Sequence, residues 1–268
     1  MRKVLEISMA CMTMCLLMSC NTEKKTNETQ ENVANEQNMQ QSAKIITADT
    51  YITNKGDLKV TLIGHASLMF EYNGKIIHVD PYSKVADYSQ LSKADLIILT
   101  HEHSDHMDTT AINKIKNDET RFIVSKACND SLGYGEIIKN GDKIDFEGIN
   151  IEAVPAYNIV NKNPEGQFYH PKERGNGYIF TFGDKKIYVA GDTENIPEMK
   201  ALKDQIYIAF LPKNLPYTMT DEMFADAASM INPTYLYPYH FSEYDEKKIN
   251  KAFKDSSIKL LVRPMSNN

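Results

Sequence analysis

Six residues, His101-Glu102-His103-Ser104-Asp105-His106, carry four potential metal ligands directly after the apolar run Leu96-Ile97-Ile98-Leu99. That run reads as a strand buried on both faces. In an extended exit from such a strand, side chains at i, i+2 and i+4 share a face, so His101, His103 and Asp105 converge and His106 turns in from the start of the next element. Imidazoles and a carboxylate form the N/O donor set of zinc and its first-row neighbours, and four ligands exceed what one catalytic ion takes from a single loop. The spacing therefore predicts two ions. A solvated His-rich turn fits less well, because three of the seven histidines fall within these six residues at the mouth of a buried strand.

The elements that must hold this cluster are legible around it. Strand patterning covers Lys59 to Ile63, Ser67 to Tyr72 and Lys75 to Val79, the last two joined by Asn73-Gly74, a strong hairpin signal. A helix is expected from about Thr109 to Lys116, then strands at Arg121 to Ser125, Ile149 to Val154, Tyr178 to Phe182 and Lys185 to Ala190, with Gly183-Asp184 turning the last pair. Beyond them helices are expected at 194–203, 220–230 and 244–254, alternating with strands at Tyr207 to Leu211, Tyr235 to Tyr239 and Lys259 to Val262. Antiparallel strands followed by helix–strand alternation point to one α/β layered domain over residues 45–268. Two similar halves are compatible with that order, although no sequence repeat marks them.

The run Thr100 to His106 resembles the H-x-H-x-D-H signature of the metallo-β-lactamase superfamily. Further pieces follow in that superfamily's order: Gly64-His65-Ala66, Asp80-Pro81, Ala153-Val154-Pro155-Ala156, Gly175-Asn176-Gly177-Tyr178, Ala190-Gly191-Asp192-Thr193 and Tyr237-Pro238-Tyr239-His240. These resemble the branch containing ascorbate-6-phosphate lactonase and the N-acyl phosphatidylethanolamine phospholipases D, over about residues 58 to 245. The resemblance implies a four-layer αββα sandwich with a two-metal site at one edge. Carried across, it implies that His101 and His103 hold the first metal and Asp105 and His106 the second, with Asp192 bridging both and His240 completing the second site. Taken alone, Gly-Asp-Thr is a turn or helix cap more often than a ligand, and a lone histidine at a strand end is usually structural.

One departure stands out. Where relatives place a third histidine of the first site, this chain has Tyr157-Asn158. Asn is a poor zinc ligand beside imidazole, so either the first site is weakened or another group substitutes. His170, in Phe168-Tyr169-His170-Pro171, is the best substitute if the loop 159–174 returns it to the site; a substrate contact or a surface position are the other readings. His65 is expected to support the metals by hydrogen bonding, and Asp80 either to orient a metal-bound histidine or to turn the chain with Pro81. His78, between Ile77 and Val79, reads as a framework residue.

Two adjacent divalent ions, zinc first and manganese or iron as alternatives, would activate water as hydroxide and polarise the oxygen under attack. Asp105 is the expected catalytic residue, orienting that hydroxide or taking its proton. No G-x-S-x-G elbow or P-loop competes for the role. The reaction class is cleavage of an ester, lactone, amide or phosphodiester in a small-molecule or lipid substrate. The alternatives are a catalytically idle metal- or ligand-binding scaffold, for which Asn158 speaks, and a membrane phospholipid hydrolase. Loop 159–174 and the segment Leu211 to Met219 are the expected substrate walls, with Lys213 read as a solvated lysine first and as a contact for an anionic group second.

The chain's beginning reads as an address. Met1-Arg2-Lys3 precedes an apolar run from Val4 to Met18, of signal-peptide size and too short for an ordinary membrane span. Leu17-Met18-Ser19-Cys20 resembles a bacterial lipobox, which implies removal of residues 1–19 and a lipid anchor on Cys20, on the periplasmic or extracellular face of the cell envelope. Residues 20–44 are then a polar tether whose composition cannot offset the entropy of ordering. The net charge of −6 gives no global field for nucleic acid, and none is expected as a partner. With Cys11, Cys15 and Cys20 all near the start, Cys128 is left as a small buried hydrophobe.

Overall fold

The computed structural model describes residues 46–241 and 245–265. The segments read as a leader and a polar tether, with Cys20 between them, lie outside the described residues. Among those described, no helix is long and apolar enough to cross a membrane.

The first sheet holds β1 (Thr47–Thr53), β2 (Gly56–Gly64), β3 (Ser67–Tyr72), β4 (Lys75–Val79), β5 (Leu96–Leu99), β6 (Arg121–Val124) and β7 (Glu136–Ile137), in that spatial order. Its first four strands are antiparallel, and β4 through β7 pair parallel. The second sheet holds β8 (Lys143–Phe146), β9 (Ile149–Ala156), β10 (Gly175–Phe182), β11 (Lys185–Val189), β12 (Ile208–Lys213), β13 (Tyr235–Phe241) and β14 (Lys259–Leu260), again in chain order across the sheet. Here too four antiparallel strands lead into parallel ones. Asn73 and Gly74 sit at φ 49° and 78°, the two positive values of a type I′ turn, which fixes the β3–β4 register with Tyr72 opposite Lys75.

Alternation on β5 shows how the layers form. Leu96 and Ile98 enter the core between the sheets, while Ile97 and Leu99 enter a second core beneath α1 (Thr109–Ile115) and α2 (Lys126–Leu132). Burying such a side chain is worth about 1.5–3 kcal/mol, so this four-residue strand is anchored from both sides. The outer face of the second sheet is covered by a 3-10 turn at Pro197–Leu202, α3 (Asp221–Ile231) and α4 (Glu246–Ala252). The result is the expected four-layer αββα sandwich.

Several elements differ from expectation. Strands β1, β7 and β8 and helix α2 carry no clear period; α2 puts only Cys128 fully into the core, where burial pushes its thiol up to about 12. The helix expected over 194–203 is only the 3-10 turn from Pro197, because Thr193 and Glu194 spend their side chains on the segment after β9. Leu211 and Pro212 belong to β12 and are buried, so the segment Leu211 to Met219 is a wall only in its latter part. Lys213 is not solvated: it pairs with Asp221 at 2.8 Å. His78 is buried and its Nε2–H donates to the Ser92 carbonyl at 3.0 Å.

Candidate metal centre

The centre is assembled at the carboxyl ends of the strands. Asp80, immediately after β4 at φ 46°, accepts the Thr100 N–H at 2.8 Å, the Thr100 hydroxyl at 2.6 Å and the Nδ1–H of His106 at 2.8 Å. Because the Thr100 hydroxyl donates to Asp80, the contact of its oxygen with His101 Nδ1 at 3.0 Å is one in which His101 donates. Both imidazoles thereby donate from Nδ1 and turn Nε2 toward the centre, and His101 is fixed as the Nδ1–H tautomer. Asp80 thus orients a histidine of the cluster directly and a second through Thr100.

The second sheet closes on this exit. Asn176 N–H donates to the Thr100 carbonyl at 2.9 Å, and the Tyr178 hydroxyl to the Leu99 carbonyl at 2.9 Å. A Cβ on Gly175 would stand 3.1 Å from His101 Cβ, which explains the glycine there. Gly191 at φ 65° turns the chain after β11 so that the buried Asp192 faces the histidines.

Around Asp192 the side chains form two pockets. In one, His101, His103 and His170 present nitrogens within 4.8 Å of one another; in the other His65, Asp105, His106 and His240 do the same, and His101, His106 and Asp192 form a group spanning both. Asp192 Oδ2 lies 3.2 Å from His170 Nε2 and 3.4 Å from His240 Nε2, and Oδ1 lies 3.5 Å from His106 Nε2. Asp105 Oδ2 lies 3.5 Å from His240 Nε2 and accepts the Nε2–H of His65 at 2.8 Å. His65, at φ 55°, also stacks on His240 with ring centroids 3.8 Å apart, and its carbonyl accepts the His240 N–H at 2.8 Å.

The electrostatics keep both carboxylates ionised and most of the histidines neutral. Burial, with His106 adding to it, drives His101 well below the ordinary histidine range, and burial lowers His65 to about 4 despite its bond to Asp105. His106 goes the other way: burial opposes its protonation, but the carboxylates of Asp192 and Asp80 outweigh that and raise it well above the usual value. Burial pushes Asp105 and Asp192 up, and histidine contacts, His240 foremost, hold both well below the carboxylate range. His101 Nε2, His106 Nε2, His240 Nε2 and Asp192 Oδ1 are buried with no hydrogen-bond partner. Ligands bound tetrahedrally at zinc distances lie about 3.3–3.4 Å from one another, within the 3.2–3.5 Å that separates the Asp192 oxygens from His170, His240 and His106. The donor set fits divalent cations.

His170 is reached from loop 159–174, and Asn158 stands behind it: Asn158 Oδ1 accepts both the backbone N–H and the Nδ1–H of His170 at 2.7 Å. Asn158 therefore faces the histidine rather than the pocket. The loop is held by the carboxylate of Glu194, a residue without periodic or motif signal in the sequence. Only its position two residues after Asp192 hints at a role.

The beta-lactamase superfamily domain matches residues 59–240 of the chain. The chain belongs to that superfamily. A UPF0173 metal-dependent hydrolase of Ligilactobacillus salivarius is 31% identical over 209 residues, covering 74% of this chain and 92% of that protein, which places the chain within the UPF0173 metal-dependent hydrolases. A similar member from Flavobacterium johnsoniae is 32% identical over 226 residues, 76% of this chain and 96% of that one. Among solved structures, a protein of Parabacteroides distasonis described as a metal-dependent hydrolase superposes with TM-score 0.79 at 45% identity, over 83% of this chain and all of that one. The metallo hydrolase Igni18 of Ignicoccus hospitalis shares the fold, with TM-score 0.64 at 22% identity over 78% of this chain and 96% of its own. In this metal-dependent hydrolase a cleft lined by Tyr169, Pro171 and Arg174 reaches His101, His103, His170 and Asp192, with Arg174 paired to Glu102.

Proposed function

We propose that this hydrolase works with two divalent cations, zinc foremost: His101, His103 and His170 hold the first, Asp105, His106 and His240 the second, and Asp192 lies between them. The observation that carries this reading is the pair of ligand clusters that meet at the buried Asp192, where His101, His106 and His240 Nε2 and Asp192 Oδ1 lack hydrogen-bond partners. Cations held there would supply an acidified water and polarisation of the oxygen of the bond to be cleaved. Asp105 is half-buried, is held ionised by His240 and His65, and so serves to orient the attacking water or accept its proton. The substrate bond is an ester, lactone, amide or phosphodiester, and the likeness of the Gly-His-Ala, Gly-Asp-Thr and Pro-Tyr-His pieces to lactonase-like enzymes puts lactones and esters first in a screen.

Substrate shape is set by two loops at the mouth. Ile159, Val160, Leu215 and Tyr217 are exposed apolar side chains on them, and Tyr169 packs edge-on against Tyr217 with centroids 4.9 Å apart. The Asn161 side chain donates to the Thr218 carbonyl at 2.7 Å, so the loops are cross-linked. Such a rim suits a small molecule with an apolar portion beside the scissile bond. We also infer that the mature chain starts at a lipidated Cys20 and is tethered in the cell envelope, on the strength of its lipobox-like ending; mass spectrometry showing an unmodified Cys20 in membrane-extracted protein would remove the anchor.

The deciding experiment is metal content in chelator-free protein. Two equivalents per chain are expected, falling below one in Asp192→Ala with activity reduced on the order of a thousandfold, ~4 kcal/mol of transition-state stabilisation. One equivalent in the wild type would overturn the two-cation reading.

A further inference from the structure

Glu194 is fully buried, and the chemistry above makes no use of it. Its carboxylate accepts four N–H groups. Oε1 takes Asn158 Nδ2 at 3.0 Å and the backbone of Asn161 at 2.7 Å, and Oε2 takes the backbones of Ile159 and Val160, both at 2.7 Å. Three successive amides converging on one carboxylate form a nest that only an anion of this shape fills, since each oxygen is used twice as an acceptor. The segment it binds begins with Asn158.

Asn158 passes the constraint on. Its Nδ2 donates to Glu194 and to the Tyr217 carbonyl at 2.8 Å, so both of its hydrogens meet oxygen acceptors and the amide has one orientation, with Oδ1 toward His170. A carbonyl oxygen only accepts, so His170 donates from Nδ1, and the ring is turned so that Nε2 lies 3.2 Å from Asp192 Oδ2. Asp80 acts in the same manner on His106, but across one bond rather than two.

We propose that Glu194 is a positioning residue that, through Asn158, fixes the tautomer and aim of His170. The inference rests on the reading of His170 as a ligand of the first cation. Replacing Glu194 by Gln turns two acceptor positions into donors facing N–H groups, which frees residues 158–161 and with them the amide behind His170. Outer partners of metal-bound histidines change metal affinity about 10–100-fold when removed.

The test uses the full chain, nitrogen-labelled. Histidine ring resonances are recorded on metal-free protein and zinc binding is titrated, in the wild type, Glu194→Gln and Asn158→Ala. The expected result is a His170 Nδ1–H tautomer in the wild type that is lost in both variants, with zinc affinity of the pocket of His101 and His103 lowered tenfold to hundredfold and the other pocket unchanged. A purely structural Glu194 would lower the melting temperature and leave the ring resonances and zinc affinity alone, and that result overturns the proposal. Should Glu194→Gln not fold, Glu194→Asp, which keeps the charge and shortens the reach, is scored the same way. A wild type that binds a single zinc would defeat the two-cation reading, while the His170 ring in the metal-free chain still decides for or against Glu194.

Discussion

In the first sheet four antiparallel strands, β1 to β4, lead into parallel β5 to β7; in the second, β8 to β11 lead into β12 to β14 in the same way. The connections that reach the metal centre occupy matching places in the two halves. After β4 comes Asp80 and shortly after β11 comes Asp192; between β2 and β3 sits His65, and between β9 and β10 sit Asn158 and His170. What differs is how each half secures its side chains. The first uses a two-residue connection at His65 and the contiguous run His101 to His106, whose aim follows from backbone geometry and one carboxylate. The second spans residues 157–174 between its strands, and must hold that loop with Glu194 before His170 can point anywhere. The same topology thus permits a short rigid source of ligands and a long one that needs an internal clamp.

The largest effect should separate the halves by their ligands. His101→Ala and His170→Ala are each expected to remove one cation equivalent and reduce turnover on the order of a thousandfold, ~4 kcal/mol. Exogenous imidazole should rescue His170→Ala, whose ring comes from the loop, better than His101→Ala, whose ring is packed against Gly175. Equal rescue, or full metal content in His170→Ala, would break the distinction.

Next in size is a pH effect confined to the first half. Burial lowers His78 to about 4, against about 6.5 in the unfolded chain. The unfolded state therefore binds the proton more readily between those values, so the stabilisation is complete above about pH 6.5 and is lost as pH falls to about 4. The lowered value amounts to about 3 kcal/mol. Urea denaturation from pH 7 to 4 should show this slope together with those of His65 and His101, which burial also lowers, and His78→Gln should remove about 3 kcal/mol of the total; a slope unchanged by the substitution would assign the acid sensitivity to the other two.

A smaller effect is expected from Asp80→Asn. The amide keeps one acceptor oxygen but sets an NH2 against the donors of Thr100 and His106. Zinc affinity of the second pocket should fall about 10–100-fold, as read by chelator competition, with the first pocket less affected.

The division between the halves also governs what could be read from residues alone. The contiguous cluster was legible because strand alternation and ligand spacing coincide within six residues. Asp192, just after β11, and His240, in β13, each stand apart from the other ligands in sequence and gained meaning only from the order of motifs. His170 was one of several readings because its placement depends on Asn158 and Glu194, which are distant in sequence and act through hydrogen bonds that leave no period. The sandwich itself was legible from β3, β4, β5 and β13, each strongly patterned, whereas β1 and β8 are half exposed at sheet edges and β7 is two exposed residues. The helix expected at 194–203 failed for the same reason that Glu194 was missed: its first turn is engaged in holding another segment.

The smallest contrast lies in the two matching hairpins. Between β3 and β4 the first turn residue is Asn73 at φ 49°, and between β10 and β11 it is Gly183 at φ 58°, the glycine-first pattern of a type II′ turn. A Cβ on Gly183 would stand 2.7 Å from Thr53 Oγ1 and 2.5 Å from Asn54 Oδ1, so the turn is pressed against the end of β1. Gly183→Ala combines left-handed strain of ~1–2 kcal/mol with displacement of those side chains, and the melting temperature should fall by roughly 4–8 °C for about 2 kcal/mol in a domain of this size. Asn73→Gly, at a position glycine adopts freely, should change stability by less than about 0.5 kcal/mol. Equal losses in the two variants would mean that turn conformation alone sets the cost and that the second hairpin gains nothing from its contact with β1.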